Sequence, residues 1–184
     1  MDYYTTGRNV ALVQKTSQTS TYSANGVTFG ASKAVDGYTS SDFNDLRCSS
    51  TNDNDPKPMW SVTFPLSQIT RYVLYNRGGS NEGRLVGFVL SGENSGSRKF
   101  DYRDTFNQAL PVYIVTDAAK NGITEVTIST PVMVTLCEVE IYGECPAGTY
   151  TTPDLQCTNC PATCPNSCHI DTGICESSGY KYTP

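Results

Sequence analysis

The distribution of cysteines is the feature that most limits how this sequence can fold. The chain has 184 residues and eight cysteines. Cys48 and Cys137 lie far apart, whereas the other six crowd the end of the chain. The clustered ones are Cys145, Cys157, Cys160, Cys164, Cys168 and Cys175. An even number with a dense terminal cluster is typical of a disulfide framework formed in an oxidising compartment.

Zinc binding is the alternative use of this cluster. Cys157 and Cys160 have the Cys-x-x-Cys spacing of zinc ligands, and His169 follows nearby. Six cysteines exceed what one tetrahedral site needs, so we expect disulfides. A Cys48–Cys137 bond would close a loop of about 90 residues, worth roughly 4–5 kcal/mol in the chain-entropy model. The six clustered cysteines allow fifteen pairings, among which the sequence does not choose.

The rest of the chain has the composition and periodicity of an all-β protein. Ser, Thr, Tyr, Gly and Val are plentiful, and strong helix formers are scarce. Apolar and polar residues alternate over 60–64, 123–128 and 132–142, as in strands with one buried face. One helical turn is expected at residues 31–35. We therefore predict a β-sandwich.

Composition changes sharply at Gly143. Apolar residues almost disappear after it, and Cys, Pro, Thr and Asn replace them. Such a segment cannot build a hydrophobic core and depends on cross-links. We predict an N-terminal lead-in at residues 1–8, a β-sandwich domain at residues 9–143 and a small cysteine-rich module at residues 144–184.

Charge and hydropathy argue against several classes of partner. The formal net charge is −5, and no Lys/Arg cluster suggests binding to nucleic acid or to an anionic membrane. No apolar run is long enough to span a membrane. Residues 1–6 lack the basic start and apolar core of a signal peptide. Because the cysteines indicate an extracellular protein, we expect a fragment of a secreted protein or of a membrane-protein ectodomain, with an artificial Met1.

The candidate binding segment is a glycine-rich stretch at residues 75–85. It carries Arg77 and Arg84 between two alternating runs that we expect to be strands, residues 69–75 and 85–90. Guanidinium groups at the mouth of a β scaffold can bind hydroxyls, carboxylates or sulfates. The alternative is a solvated hairpin loop with ordinary surface arginines.

Six separated segments occur in an order that matches a known family. They are Asn9-Val10-Ala11, Ala34-Val35-Asp36-Gly37, Trp60-Ser61-Val62, Tyr75-Asn76-Arg77-Gly78, Arg84-Leu85-Val86-Gly87-Phe88 and Cys137-Glu138-Val139-Glu140-Ile141-Tyr142-Gly143. Over roughly residues 8–143 the chain resembles the F-type lectins, or fucolectins, of the wider discoidin or coagulation-factor C-domain fold. The resemblance implies an eight-stranded jelly-roll β-sandwich that binds L-fucose and holds a structural calcium ion.

The fucose motif implied by the resemblance is only half kept. The family has a His, 26 further residues, Arg-x-Asp, four residues, and Arg or Lys. Arg77 and Arg84 match the two basic positions. Ser50 stands in place of the His, and Gly79 stands in place of the Asp. Where many members have a vicinal disulfide that packs against the sugar, this chain has Ser80 and Asn81.

The two replacements change what the carbohydrate site can do. The His would provide a directional partner for a sugar hydroxyl, and the Asp would hold an arginine in place. A site that selects by hydrogen bonds loses selectivity when two such groups are lost. We expect weak fucose binding, altered specificity or none. Asn81, Glu82 and residues 52–55 are candidates for replacement polar groups.

The calcium site implied by the resemblance is better kept. Most ligands in the family are backbone carbonyls, and two carboxylates with several carbonyl oxygens suit calcium. Asp36 and Glu138 match the side-chain ligands. The alternative places Asp36 in an Asp-Gly turn and Glu138 on an exposed strand face. The positions that match carbonyl donors are Lys33, Tyr38, Arg47, where the family often has Ser, and Cys137.

The tail from Cys145 to Cys175 resembles an EGF-like or laminin-type module of a cell-surface protein. We predict an extracellular carbohydrate-recognition module with a structural calcium ion and a degenerate fucose-binding motif, which binds a glycan, either fucose or another sugar. The alternative is a protein-interaction or structural ectodomain of a cell-surface receptor that has lost sugar binding.

We expect no enzyme, because the one histidine lies in the tail and no catalytic pattern stands out. Polar loop tips argue against membrane insertion.

Overall fold

The computed structural model describes residues 7–116, 120–146, 148–152, 157–164, 168–169 and 173–175. Its strands are β1 (Arg8–Asn9), β2 (Lys15–Gln18), β3 (Ser23–Ala24), β4 (Val27–Thr28), β5 (Ser49–Ser50), β6 (Met59–Asn76), β7 (Val89–Asn94), β8 (Ser97–Arg103), β9 (Val112–Val115), β10 (Lys120–Ser129), β11 (Thr135–Glu144), β12 (Thr149–Thr151) and β13 (Cys157–Asn159). The 3-10 helices are Ala31–Val35, Phe43–Asp45 and Glu82–Leu85. Residues 1–6 of the predicted lead-in and residues 176–184 of the predicted module lie outside the described residues.

The long strand β6 joins the two layers of an antiparallel β-sandwich. Its first half pairs with β10 on one edge and β2 on the other. Its second half pairs with β11 and β9 instead. Beyond β10 follow β7 and β8, and beyond β11 follows β1. A strand whose two halves have different neighbours can turn from one sheet into the facing sheet. The all-β sandwich predicted from the sequence is therefore confirmed.

The hydrophobic core fills the space between these layers. Trp60, Val62 and Phe64 of β6 point inward, as their alternation predicts, and the first two are fully buried. Burial of each such side chain contributes about 1.5–3 kcal/mol relative to exposure. The expected turn at residues 31–35 is a 3-10 helix, whose Ala31 carbonyl accepts a hydrogen bond of 3.0 Å from the indole Nε1 of Trp60.

All eight cysteines form disulfides, as expected. Cys48–Cys137 ties the long loop before β6 to strand β11. The tail is cross-linked by Cys145–Cys157, Cys160–Cys168 and Cys164–Cys175, and its strands β12 and β13 pair with each other. Because Cys157 and Cys160 are both in disulfides, they are not available as zinc ligands. Among the described residues, no helix is long and apolar enough to cross a membrane.

Candidate functional site

The arginine segment connects two strands that do not pair with each other. Strand β6 ends at Asn76, a 3-10 helix follows at Glu82–Leu85, and β7 begins only at Val89. Gly87 makes the turn before β7 with a φ of 71°, a left-handed value that favours glycine. Both β6 and β7 pair with β10. The hairpin alternative is therefore wrong, and the strand expected over residues 85–90 starts later than predicted.

Arg77 is buried rather than an ordinary surface arginine. Its residue surface is 8% exposed, and its Nε is buried without a hydrogen-bond partner. The guanidinium carbon lies 3.9 Å from the centre of the Phe43 ring. Burial, and next the charge of Arg84, lower the pKa of Arg77. A buried guanidinium nitrogen without a hydrogen-bond partner costs stability, which makes this side chain a candidate for binding.

The surface beneath Arg77 is a short column of aromatic rings. Phe43 stacks on Phe29, with 4.6 Å between ring centres and 5° between planes, and Tyr22 lies 5.6 Å from Phe29. The 3-10 helix that carries Phe43 is capped by Asp42, whose carboxylate accepts a hydrogen bond of 2.9 Å from the Asn44 N–H. We call Tyr22, Phe29 and Phe43 the aromatic column.

Arg77 and Arg84 face a common cavity of about 250 Å³, called here the arginine cavity. Its lining combines cationic, acidic, amide, aromatic and thioether groups: Tyr22, Phe43, Asp53, Arg77, Asn81, Arg84 and Met133. This lining combines flat aromatic faces with groups that donate and accept hydrogen bonds. Such a combination suits a small polyhydroxylated ligand. A second cavity of about 370 Å³ adjoins it at Arg77 and Phe43, and Gly79 and Ser80 line that one.

The structure therefore brings together most of the predicted carbohydrate positions but not Ser50. That side chain is fully buried, and its hydroxyl lies 3.1 Å from the Thr135 hydroxyl. It is absent from the lining of both cavities. The Ser50 carbonyl instead accepts hydrogen bonds from the Tyr22 N–H at 2.9 Å and from the Gln18 amide at 3.0 Å. Its backbone thus positions the aromatic column from behind.

Sequence reasoning missed Tyr22, Phe43 and Met133. They come from three separate segments, and only Met133 lies within a predicted strand, residues 132–142. The one available signal was Phe43 itself, a large aromatic residue in a loop otherwise rich in Asp and Asn. Asp53 and Asn81, which were candidates for replacement polar groups, both line the arginine cavity. Glu82 begins the 3-10 helix and is outside that lining.

Glu138 is the central residue of the predicted calcium site. It is fully buried in β11, so the alternative of an exposed strand face is wrong. Its Oε1 accepts a hydrogen bond of 3.1 Å from the Gly37 N–H, whereas its Oε2 is buried without a partner. Burial raises the pKa of Glu138 to about 8, and the nearby carboxylate of Asp36 adds to the effect. A buried carboxylate with one unsatisfied oxygen fits a bound cation.

The other predicted calcium positions surround the turn after the first 3-10 helix. The Asp36 carboxylate accepts a hydrogen bond of 3.0 Å from the Tyr38 N–H and lies 3.4 Å from the Arg47 guanidinium. The Lys33 ammonium donates to the Leu46 carbonyl at 2.6 Å. Cys137 is in the disulfide to Cys48. No group of three or more His, Cys, Asp or Glu that could hold a metal occurs among the described residues, so carbonyl oxygens would have to complete the site.

One loop joins the two candidate sites. It begins at Asp36 and Gly37, which contact Glu138, and it carries Phe43 beneath Arg77. Between them, the Ser41 carbonyl accepts a hydrogen bond of 2.7 Å from the Gly78 N–H. The same loop thus carries Phe43 and several of the predicted calcium ligands.

Structural comparison places this architecture among carbohydrate-binding modules. The lectin domain of Lectinolysin, complexed with Lewis b antigen, superposes with a TM-score of 0.63 at 27% identity over 72% of this chain and 94% of that one. A fucolectin from striped bass (Morone saxatilis) serum gives 0.64 at 26% identity over 77% of this chain and 50% of that one. A Streptococcus pneumoniae fucose-binding module gives 0.66 at 21% identity, covering 78% and 100%, and at that identity it shows the fold alone.

Comparison of sequences alone adds nothing to this result. No protein-family model matches the chain, and no curated protein sequence matches it. The structural neighbours include F-type lectin and fucose-binding modules, as the six sequence segments predict.

Proposed function

We propose that this chain is an extracellular carbohydrate-recognition module that binds a glycan in the arginine cavity. The observation that carries the proposal is Arg77, a nearly buried arginine with an unpartnered Nε, stacked on Phe43 at the wall of a cavity. Sugar hydroxyls can accept from such guanidinium groups, and the apolar face of a sugar ring can pack against an aromatic ring. Solved structures of similar fold include modules complexed with Lewis b and galactose.

Calcium binding is part of the proposal. Asp36 and Glu138 would hold the ion with their carboxylates, with carbonyl oxygens at Lys33, Tyr38, Arg47 and Cys137. The unsatisfied, buried Oε2 of Glu138 supports this assignment. Bound calcium would neutralise the two carboxylates and fix the loop that carries Phe43. The proposed role of calcium is structural. The loop supplies Phe43 to the wall of the arginine cavity, whereas the predicted calcium ligands do not line this cavity.

The disulfides support an extracellular location. Four bonds in a chain of this size persist in oxidising compartments. The assignment of the tail to an EGF-like or laminin-type module stays a prediction, as does its role in a stalk. The proposed activity is binding, and it includes no catalytic step.

A glycan array in the presence of calcium tests this function. The Arg77→Ala/Arg84→Ala double variant is compared with the wild type and with an Arg71→Ala/Arg98→Ala control. Arg71 and Arg98 contact Tyr142, Glu93 and Asp101, outside the arginine cavity, so the control removes the same charge elsewhere. We expect the cavity variant to lose glycan binding and the control to keep it.

Absence of binding to every glycan would contradict the proposal. If a thermal-shift assay still showed stabilisation by calcium, the protein-interaction ectodomain would become the preferred function. The buried position of Ser50 and the missing carboxylate at Gly79 are the observations that favour that second candidate.

A further inference from the structure

The arginine cavity has an unbalanced positive charge. Two guanidinium groups, Arg77 and Arg84, line it together with a single carboxylate, Asp53. Within the part of the chain that the structure describes, the side-chain ion pairs are those of Arg47 and Arg98, and neither cavity arginine takes part in one. Asp53 therefore shares the cavity without forming an ion pair with either arginine.

The burial of Arg77 makes this imbalance costly. The Nε of Arg77 is enclosed without a hydrogen-bond acceptor, and the residue is 8% exposed. Burial and repulsion from Arg84 both lower the pKa of Arg77, which shows that the cationic form is poorly compensated in this place. At a partly buried site, opposite charges attract more strongly than on an open surface. A ligand that brings a negative charge would satisfy both guanidinium groups at once.

The neighbouring groups limit what kind of anion fits. Phe43 offers an aromatic face beside Arg77, and Asn81 and Asp53 add groups that donate to and accept from hydroxyls. A bare inorganic anion would leave these groups unused. A sugar ring that carries a sulfate or a carboxylate would use the aromatic face, the polar groups and the arginines together.

We propose that the arginine cavity selects saccharides that carry an anionic substituent over their neutral parents. This inference rests on the proposed function, because it assumes that a glycan occupies the cavity. The shared chemistry is a planar or tetrahedral oxyanion on a sugar ring. The substituent is either a sulfate ester or a ring carboxylate, and the experiment distinguishes the two sources.

The test compares matched pairs of ligands by isothermal titration calorimetry with calcium present. The pairs are methyl β-galactoside with its 3-O-sulfate, and methyl β-glucoside with methyl β-glucuronide, and methyl α-L-fucoside is the neutral reference. At 50 mM NaCl we expect at least one anionic member to bind about tenfold or more tightly than its parent, as charge-assisted hydrogen bonds predict. The preference should shrink at 300 mM NaCl because salt screens partly exposed charges.

Three single variants locate the effect, all at half-buried or exposed positions. Arg84→Gln should remove most of the preference for the anionic member. Asp53→Asn removes the one carboxylate of the cavity, so it should raise the ratio of the anionic member's affinity to the neutral parent's affinity several-fold. Arg98→Gln, which makes the same charge change on the exposed surface of β8, should alter neither.

The outcomes separate this inference from the function on which it depends. Tighter binding of the sulfated galactoside assigns a sulfate ester, and tighter binding of the glucuronide assigns a carboxylate. Equal or tighter binding of the neutral sugars overturns the inference and leaves the proposed function standing. An equal response of Arg84→Gln and Arg98→Gln also overturns the inference. Failure of every sugar, including the fucoside, to bind overturns both.

Discussion

At the scale of single residues, Arg77 and Glu138 are both ionisable groups that the fold buries with one side-chain atom left without a hydrogen-bond partner. Such groups lower the free energy of unfolding unless a ligand or ion satisfies their hydrogen bonds. In Arg77 the proposed partner is the glycan, and in Glu138 it is the calcium ion. Each residue can therefore be tested by asking whether its removal stabilises the empty protein while it removes binding.

Replacement of Arg77 by methionine should remove glycan binding without destabilising the protein. Methionine keeps a long side chain over Phe43 but removes the buried charge and its repulsion from Arg84. The lost stacking is worth about 0.5–2 kcal/mol, which the relief of the buried charge offsets. Urea unfolding should give a free energy of unfolding equal to or above that of the wild type, while titration calorimetry shows affinity at least tenfold weaker.

Arg71→Met is the matched control for this prediction. Arg71 also stacks on an aromatic ring, at 4.0 Å from Tyr142, but lies outside the arginine cavity. It should leave glycan affinity unchanged. A drop of more than about 2 kcal/mol in the stability of Arg77→Met would contradict the interpretation, because it would assign Arg77 a structural role.

Glu138 predicts a pH dependence of stability in the metal-free protein. The folded state holds the proton of Glu138 up to about pH 8, whereas the unfolded chain releases it near the ordinary value of 4.5. The folded state thus binds more protons in this window, and the free energy of unfolding should fall as pH rises from 5 to 8, by at most about 1.4 kcal/mol per pH unit. Urea unfolding in EGTA measures the slope.

Glu138→Gln is the variant that isolates this effect. It should flatten the slope in EGTA and unfold at higher urea than the wild type at pH 8, because no buried charge then forms. An unchanged slope in the variant would assign the pH dependence to other groups.

At the scale of elements, the loop from Asp36 to Arg47 connects the two candidate sites. Its first residues contact Glu138, and its 3-10 helix carries Phe43 beneath Arg77. The Cys48–Cys137 disulfide and the hydrogen bond from the Gly78 N–H to the Ser41 carbonyl hold it in place. Loss of order near Asp36 should therefore also disorder the part of the loop that carries Phe43.

Calcium removal should weaken glycan binding even though the predicted ion does not line the cavity. With EGTA the carboxyl groups of Asp36 and Glu138 lose the ion proposed to join them, and the loop that carries Phe43 loses part of its support. We expect the thermal midpoint to fall by several degrees and the glycan affinity to fall several-fold. Thermal shift and calorimetry with and without calcium measure both effects. Full affinity in EGTA, together with a lowered midpoint, would show that the loop does not couple the sites.

The elements also show how far the sequence alone could predict the structure. Strands with alternating residues, such as 60–64 in β6 and 123–128 in β10, were predictable because one face of each is buried. The path of the arginine segment was not predictable from the sequence. It depends on the pairing of both β6 and β7 with β10, which lies far away in the chain. Tyr22 and Phe43 were missed for the same reason, since only the folded chain brings them to Arg77.

At the scale of the whole molecule, the sandwich and the disulfide-linked tail differ in what stabilises them. Buried aliphatic and aromatic residues from β6, β7, β10 and β11 form the core, whereas three disulfides cross-link the tail. The predicted boundary at Gly143 lies one residue before the end of β11. The Arg8 guanidinium lies 3.9 Å and 3.8 Å from the sulfurs of Cys145 and Cys157, at the junction of the two parts.

A shortened chain that ends at Glu144 should fold and bind glycan with unchanged affinity. The hydrophobic core lies within residues 10–141, and both cavities are lined by sandwich residues. The free energy of unfolding should fall by no more than about 1–2 kcal/mol, because only contacts at the junction are lost. This is the size of an ordinary single-site effect. Circular dichroism and calorimetry check the fold and the affinity. An unfolded product, or one that folds but no longer binds, would make the tail part of the same unit and contradict the boundary.

The central claim is that the arginine cavity is where the glycan binds, and the side-chain signals of its arginines test this most directly. The measurement is a titration of ¹⁵N-labelled protein with the tightest ligand from the glycan array, followed by the Nε–H resonances in NMR spectra. We predict saturable shifts for Arg77 and Arg84, with Arg71 and Arg98 unchanged as internal references. Saturable binding that leaves Arg77 and Arg84 unshifted would place the glycan elsewhere and contradict the account.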